Sequence, residues 1–134
     1  MSGQIDWAEL FFSSTGRVAR TPFLIATAVL TTLAVIYEAS MGPTLHWLTG
    51  WIAYPGLLFS GACVLSKRLH DRGRSGWLAA VVILALIAVW SQPFNFIDAI
   101  FAVVIIWAAV ELGAMPSEQG ANRYGPNPVK TVTV

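Results

Sequence analysis

The sequence has few charged residues. Asp, Glu, Lys and Arg make up 11% of its 134 residues, whereas hydrophobic residues make up 56%. An average soluble domain carries about 25% charged residues. A chain of this length also leaves much of its surface outside the core. Because a soluble protein rarely exposes so much apolar surface to water, the composition excludes a soluble globular domain and predicts a membrane protein.

Residues that could bind a metal ion or a nucleic acid, or catalyse a reaction, are also scarce. The net charge of +1 supplies no broad basic face, so nucleic acid is not an expected partner. A single cysteine, Cys63, excludes an internal disulfide and a cysteine-rich metal site. His46 and His70 are predicted near opposite faces of the membrane, so they cannot share a metal ion. The sequence contains neither a nucleophile elbow nor a phosphate-binding glycine loop. We therefore expect neither enzymatic activity nor a cofactor.

Apolar segments divide the chain into predicted membrane spans, each of which requires roughly 20 apolar residues. The predicted spans are residues 21–40, 45–66, 76–91 and 95–112. A Met-Gly-Pro-Thr turn separates the first two. As a single helix, residues 76–110 would be about 52 Å long, far beyond a hydrocarbon core of about 30 Å, and Pro93 would interrupt that helix. The sequence predicts an all-α membrane protein with four transmembrane helices.

A short amphipathic segment, residues 4–13, precedes the first span. It is too short and too acidic to cross the membrane. Its acidic residues Asp6 and Glu9 lie apart from an apolar side that includes Trp7 and Leu10. Such a segment favours a helix that lies in the membrane interface. The acidic start also lacks the basic region of a signal peptide, so we expect no cleavage there.

Asp98 lies at the start of the fourth predicted span. It follows Asn95 by three residues, the spacing of a capping box. The first turn of a helix also favours negative charge, whereas a carboxylate at the centre of a span is costly. One interpretation is a capped carboxylate at the interface. The alternative is a proton or cation relay at the membrane surface.

Basic residues predict the orientation of the chain. They fall before the first span, between the second and third, and after the fourth: Arg17, Arg20, Lys67, Arg68, Arg72, Arg74, Arg123 and Lys130. The other two connections contain no Lys or Arg. By the positive-inside rule, both termini, the central loop and a tail over residues 113–134 lie in the cytoplasm. We expect a multi-pass plasma-membrane protein.

The central loop, Ser66–Trp77, carries four cationic side chains within eight positions. Anionic lipid attracts such a segment, and guanidinium groups match phosphate oxygens. Trp77 is placed to anchor the next helix at head-group depth. The alternative is a structural loop whose arginines pair with Asp71, Glu111 or bulk lipid.

Three separated motifs follow a common pattern. They are Gly-Arg-Val-Ala-Arg at 16–20 followed by Phe23, Lys-Arg-Leu-His-Asp-Arg-Gly-Arg-Ser-Gly-Trp at 67–77, and Gly-Ala-Asn-Arg-Tyr-Gly-Pro-Asn-Pro at 120–128. Together they resemble the domain-of-unknown-function 805 family of small bacterial inner-membrane proteins. Leu24 and Leu78 depart from that pattern, which usually has a second aromatic residue there. The resemblance implies a four-helix inner-membrane protein and no particular activity.

All three motifs fall on the predicted cytoplasmic side. We hypothesise that they form one polar layer that binds anionic lipid head groups or a partner membrane protein. The candidate residues are Arg17, Arg20, Arg68, His70, Asp71, Arg72, Arg74, Trp77, Asn122, Arg123 and Tyr124. In one interpretation the turn-forming tail packs against this layer. In the other, its prolines leave it extended and mobile.

The sequence thus predicts a non-enzymatic accessory or scaffold protein whose partners are membrane lipids. Formation of a homo-oligomer or of a larger membrane complex is a further expectation. The alternative is a small transporter or channel subunit, which Glu38, Asp98, Glu111 and a predicted kink at 54–56 favour. These acidic residues are predicted at span ends, whereas a translocation path requires polar groups at mid-depth.

Overall fold

The computed structural model describes residues 6–90 and 95–128. Its helices are α1 (Trp7–Phe12), α2 (Arg20–Ser40), α3 (Pro43–Asp71), α4 (Leu78–Trp90) and α5 (Phe96–Ala108), and α5 continues as a π-helical segment over Ala109–Ala114. The described residues form no β-strand, so the predicted all-helical fold is confirmed. The predicted turn around Pro93, the first residues of the interfacial segment and Lys130 lie outside the described residues.

Three helices have the length and composition to cross a membrane: α2, α3 and α5 with its π-helical segment. They contain 21, 29 and 19 residues respectively. At 1.5 Å per residue the first and third are about as long as a hydrocarbon core of about 30 Å is thick, and α3, at about 44 Å, is longer. These helices indicate a multi-pass membrane protein. α4 is apolar, but its 13 residues span only about 20 Å. Length and composition therefore identify three spanning helices among the described residues, and they do not confirm the predicted count of four.

Successive long helices run in opposite directions. α2 packs against α3, α3 against α4, and α4 against α5, while the π-helical segment returns to α2. As a result, α2 and α4 begin at the end of the molecule where α3 and α5 finish. The core of buried apolar residues, which includes Phe23, Val64 and Leu112, lies beside that end. This arrangement brings three distant parts of the sequence together.

α3 is longer than the sequence predicts, because it continues past Ser66 to Asp71. Leu69 is fully buried, and its packing stabilises this last helical turn. The helix stops only before Gly73, whose φ of +70° is a left-handed conformation that favours glycine. The basic residues at 67 and 68 thus project from a rigid helix, and the prediction of a loop beginning at Ser66 is wrong.

α1 lies across the end of α3. The Asp6 side chain accepts a hydrogen bond of 3.0 Å from the Glu9 amide and so caps the helix. Leu10 is buried in the core, whereas Trp7 is exposed. The sequence predicts both on one apolar side, and of the two only Leu10 reaches the core. The helix begins at Trp7.

α5 begins with the predicted capping box. The Asn95 side chain accepts hydrogen bonds from the Ile97 and Asp98 amides at 2.9 and 3.2 Å. In return, the Asp98 carboxylate accepts one from the Asn95 amide at 3.0 Å. Three of the free backbone groups at this helix end are thereby satisfied. The capping interpretation of Asp98 is confirmed.

Replacing Asn95 with Ala is expected to lower the free energy of unfolding by about 1 kcal/mol, because two amides lose their acceptor. Cys63 is buried and is the one cysteine in the chain. Its reaction with a thiol-specific dye during heating in detergent therefore reports unfolding. Asn95→Asp keeps a capping oxygen and is the control. Equal stability of the Ala and Asp variants would contradict a capping role.

Candidate functional site

The site is a polar layer at the end of the molecule where α3 and the π-helical segment finish. It combines residues from the segment before α2, from the end of α3 with the following turn, and from the C-terminal tail. Its members are Arg17, Arg20, Lys67, Arg68, His70, Asp71, Arg72, Arg74, Glu111, Glu118, Asn122, Arg123 and Tyr124. The three sequence motifs thus meet in space.

Arg68 and Asp71 form the centre of the polar layer, and both are 0% exposed. They lie three residues apart at the end of α3, so a helical turn brings the guanidinium group against the carboxylate. Arg68 also donates to the Leu112 and Met115 carbonyls at 2.7 and 2.5 Å. Carbonyls at a helix C-terminus lack a helical partner and favour positive charge. Arg68 therefore caps the π-helical segment.

Arg17 joins the same carboxylate to the tail. Its side chain is 1% exposed, and its Nε–H donates to Asp71 Oδ1 at 3.1 Å. Its terminal nitrogens donate to the carbonyls of Glu118, Gly120 and Gly125 at 2.7, 2.8 and 3.2 Å. The planar guanidinium group presents five N–H donors and suits such a ring of acceptors. Around Arg17, the tail is packed against the layer rather than extended.

Glu111 is the second internal carboxylate, as the structural interpretation of the loop predicts. Its Oε1 atom lies 2.9 Å from Arg74 Nε and 3.2 Å from Arg72 Nε. Arg72 also donates to the Pro116 carbonyl at 2.8 Å. Two guanidinium groups therefore share the Glu111 carboxylate, just as Arg17 and Arg68 share that of Asp71. Each of these two clusters keeps an excess of positive charge.

His70 holds the tail by stacking. Its ring lies 3.8 Å from that of Tyr124, with 8° between the planes. Its Nδ1 atom is 3.0 Å from the Gly16 carbonyl, which assigns the proton to Nδ1. Asn122 donates to the His70 carbonyl at 2.9 Å. His70 and the adjacent Asp71 thus use separate partners and do not form a catalytic pair.

Two acidic residues contact the layer in ways that the sequence did not reveal, one of them a member of the layer and the other on α1. Glu118 accepts a hydrogen bond of 2.7 Å from Asn122, and its amide donates to the Asp71 carbonyl at 2.9 Å. Glu9 lies 3.6 Å from the ammonium group of Lys67, which also donates to the Glu9 carbonyl. Glu118 is the one acidic residue between Glu111 and the end of the chain, and this isolation beside a basic motif is the signal that could have identified it.

Exposure divides the candidate residues into two groups. Those that are buried or half-buried are Arg17, Arg68, His70, Asp71, Arg72, Asn122 and Tyr124. Arg20, Arg123 and Arg74 are exposed, the last with 46% of its side chain accessible, and Trp77 is 84% exposed. The first group stabilises the layer. The second group also has internal contacts, such as Arg74 with Glu111 and Arg20 with the Ala114 carbonyl, but its side chains remain accessible from outside the protein. Within residues 6–90 and 95–128, no cluster of His, Cys, Asp and Glu is suited to a metal ion.

A second polar cluster lies at the opposite end, where α2 meets α3. His46 Nε2 is 2.7 Å from the Tyr54 hydroxyl and 3.2 Å from the Glu38 carboxylate. Tyr37 bonds Thr49 at 2.8 Å. This cluster closes the connection between the two helices and lies far from the polar layer.

Comparison with known proteins identifies the chain's relatives. The family model described as "Protein of unknown function (DUF805)" matches residues 11–126, which include the first two motifs and most of the third. The uncharacterized protein YiiR of Escherichia coli strain K12 is 32% identical over 129 residues, covering 87% of this chain and 86% of the relative. YiiR of Escherichia coli O157:H7 matches equally well. No solved structure matches the chain. The chain belongs to the DUF805 family.

Proposed function

We propose that the chain is a non-enzymatic protein of the bacterial inner membrane that crosses it four times with the polar layer in the cytoplasm. The distribution of charge supports this orientation, because seven described Lys and Arg residues lie at one end. The described part of the opposite end carries Glu38 and Asp98 but neither Lys nor Arg. α4 forms the third crossing, and thinning of the bilayer accommodates its short length.

The orientation is tested by labelling single cysteines with an impermeant reagent, before and after the inner membrane is permeabilised. The variants are made in a background in which Cys63 is Ser. Cysteines at Ser75 and Gln119 are expected to react only after the inner membrane is permeabilised. A cysteine at Thr44 is expected to react with an impermeant reagent applied outside. Labelling of Ser75→Cys from outside would contradict the proposed orientation.

We propose further that the exposed cations of the layer bind anionic lipid head groups, so that the protein is an accessory or scaffold component with lipid as its main partner. One observation carries this proposal: among the described residues neither Arg20 nor Arg123 pairs with a carboxylate, and both are exposed in the same layer as Trp77. Arg74 shares Glu111 with Arg72 and is still 46% exposed. Each basic side chain near an anionic membrane surface contributes about 1 kcal/mol of attraction.

Removing two of these charges is expected to weaken the preference for anionic lipid. In nanodiscs formed from a mixture of anionic and zwitterionic lipid, Arg20→Gln/Arg74→Gln should lower the enrichment of anionic lipid by roughly fivefold per charge at low salt. Replacing the same residues with Lys should preserve the enrichment.

Glu38→Gln, at the opposite end, is the control and should leave the enrichment unchanged. Unaltered enrichment in the double Gln variant would contradict binding at this surface. The effect should also diminish as salt is added, because exposed charges are screened.

The transporter alternative gains no support from the site. Glu38, Asp98 and Glu111 lie towards helix ends rather than at mid-depth. A groove of about 520 Å³ beside Pro55, between α2 and α3, has no charged side chain in its described lining. Such a surface suits lipid or a neighbouring helix better than an ion.

A further inference from the structure

A second groove, of about 790 Å³, lies between α3 and α4 and changes in character along its length. Its far part is apolar, with Ala80, Ile83, Leu84 and Ile87 along one wall. The part next to the polar layer is lined instead by hydroxyl, imidazole and indole groups. An apolar channel with a polar mouth fits a molecule that has a long hydrocarbon chain and a polar head.

Small residues leave room for this groove. Ala62 on α3 faces Ala79 and Ala80 on α4 across it. Gly76, at the mouth, acts differently: a Cβ atom there would lie 2.8 Å from His70 Nε2, so glycine allows His70 to pack closely rather than leaving open space. The groove therefore follows from residue size, and a larger side chain at Ala80 would fill it.

The length of the groove matches one leaflet of a bilayer. From Gly76 at the mouth to Ile87 the chain advances eleven residues, or about 16 Å in helical conformation. This is about half of a hydrocarbon core of roughly 30 Å. With the polar layer at the membrane surface, the groove extends from the head-group region to the middle of the bilayer.

The mouth suits a phosphate group. Ser14 and Ser75 provide hydroxyl donors, and the exposed guanidinium group of Arg123 lies 4.8 Å above the Tyr124 ring that borders the mouth. The described lining contains neither Asp nor Glu, so an anionic group meets no opposing carboxylate there. Guanidinium and hydroxyl groups are common ligands of phosphate oxygens.

We propose that this groove holds one glycerophospholipid of the cytoplasmic leaflet, with an acyl chain along α4 and its phosphate at Ser14, Ser75 and Arg123. The inference rests on the proposed orientation of the protein. It differs from surface attraction because the site takes a single lipid and depends on shape as well as charge.

The test is native mass spectrometry of the full chain purified in a mild detergent, with phospholipid identified by its mass. The unmodified protein is expected to retain one phospholipid. Ala80→Phe fills the groove and should lose it. Val81→Phe places the same side chain on the adjacent exposed position outside the groove lining, and should retain it. Slow reaction of Cys63 with the dye verifies that each variant is folded.

Retention of phospholipid by Ala80→Phe at the level of the unmodified protein would overturn the proposal. Retention of only detergent or neutral lipid by the unmodified protein would also overturn it. Loss of lipid in Ala80→Phe together with unchanged enrichment in Arg20→Gln/Arg74→Gln contradicts only the surface-binding proposal. Retention of lipid in Ala80→Phe together with reduced enrichment in the double Gln variant contradicts only the groove proposal.

Discussion

Replacing Arg68 with Ala is expected to lower the free energy of unfolding by about 3–5 kcal/mol, the usual cost of breaking a buried ion pair from one side. The guanidinium group is 0% exposed and contacts an equally buried Asp71. Its removal also leaves the Leu112 and Met115 carbonyls without their donor. A loss of this size is a large part of the stability of a typical domain.

The measurement is thermal unfolding in detergent, followed by the reaction of Cys63, which is 3% exposed in the folded protein. Arg74→Ala is the matched control because it removes the same group from an exposed position and should cost less than about 1 kcal/mol. The double variant Arg68→Ala/Asp71→Ala should be more stable than the sum of the two single effects predicts. Equal stability of Arg68→Ala and Arg74→Ala would show that the buried Arg68–Asp71 pair contributes no more to the stability of the protein than an exposed arginine does.

Replacing Arg17 with Ala is expected to release the tail from the polar layer. This guanidinium group supplies donors to three tail carbonyls as well as to Asp71. Loss of these bonds should raise the rate of amide hydrogen exchange over residues 118–125 about a hundredfold, which corresponds to roughly 3 kcal/mol. Arg17→Lys should restore little of the protection, because an ammonium group lacks the planar fork of donors.

Hydrogen exchange followed by mass spectrometry measures this effect peptide by peptide. Arg123→Ala removes an exposed arginine from the tail itself and should leave the exchange of the tail nearly unchanged. Protection that persists in Arg17→Ala would mean that the His70–Tyr124 stack and the hydrogen bonds of Asn122 and Glu118 hold the tail without Arg17.

The helices and the meeting of the three motifs could be predicted because both depend on local patterns. Long apolar runs specify the helices. The alternation of helices between charged connections then places the seven described cations at one end. The three-residue spacing of Asn95 and Asp98 is enough to predict where α5 begins. The length of α3 could not be predicted in this way, because its last turn is stabilised by Leu69, which packs against residues far away in sequence.

Which arginines are buried and which are exposed could be learned only from the structure. Arg68 and Arg74 have the same chemistry and lie in the same motif, yet one is fully buried and the other is half-exposed. That difference arises from the π-helical segment, whose final carbonyls reach Arg68. A π-helical turn has no strong local sequence signal, so neither the segment nor its partner could be inferred beforehand.

The partners of Arg17 and Arg68 have a consequence for biosynthesis. Their acceptors at positions 112–125 are translated some 40 or more residues after Asp71. While the ribosome is still making α5, both guanidinium groups have Asp71 as a partner but lack these later backbone acceptors. The segment that supplies the acceptors then covers them. The closing of the polar layer therefore depends on residues that are made well after the two arginines they surround.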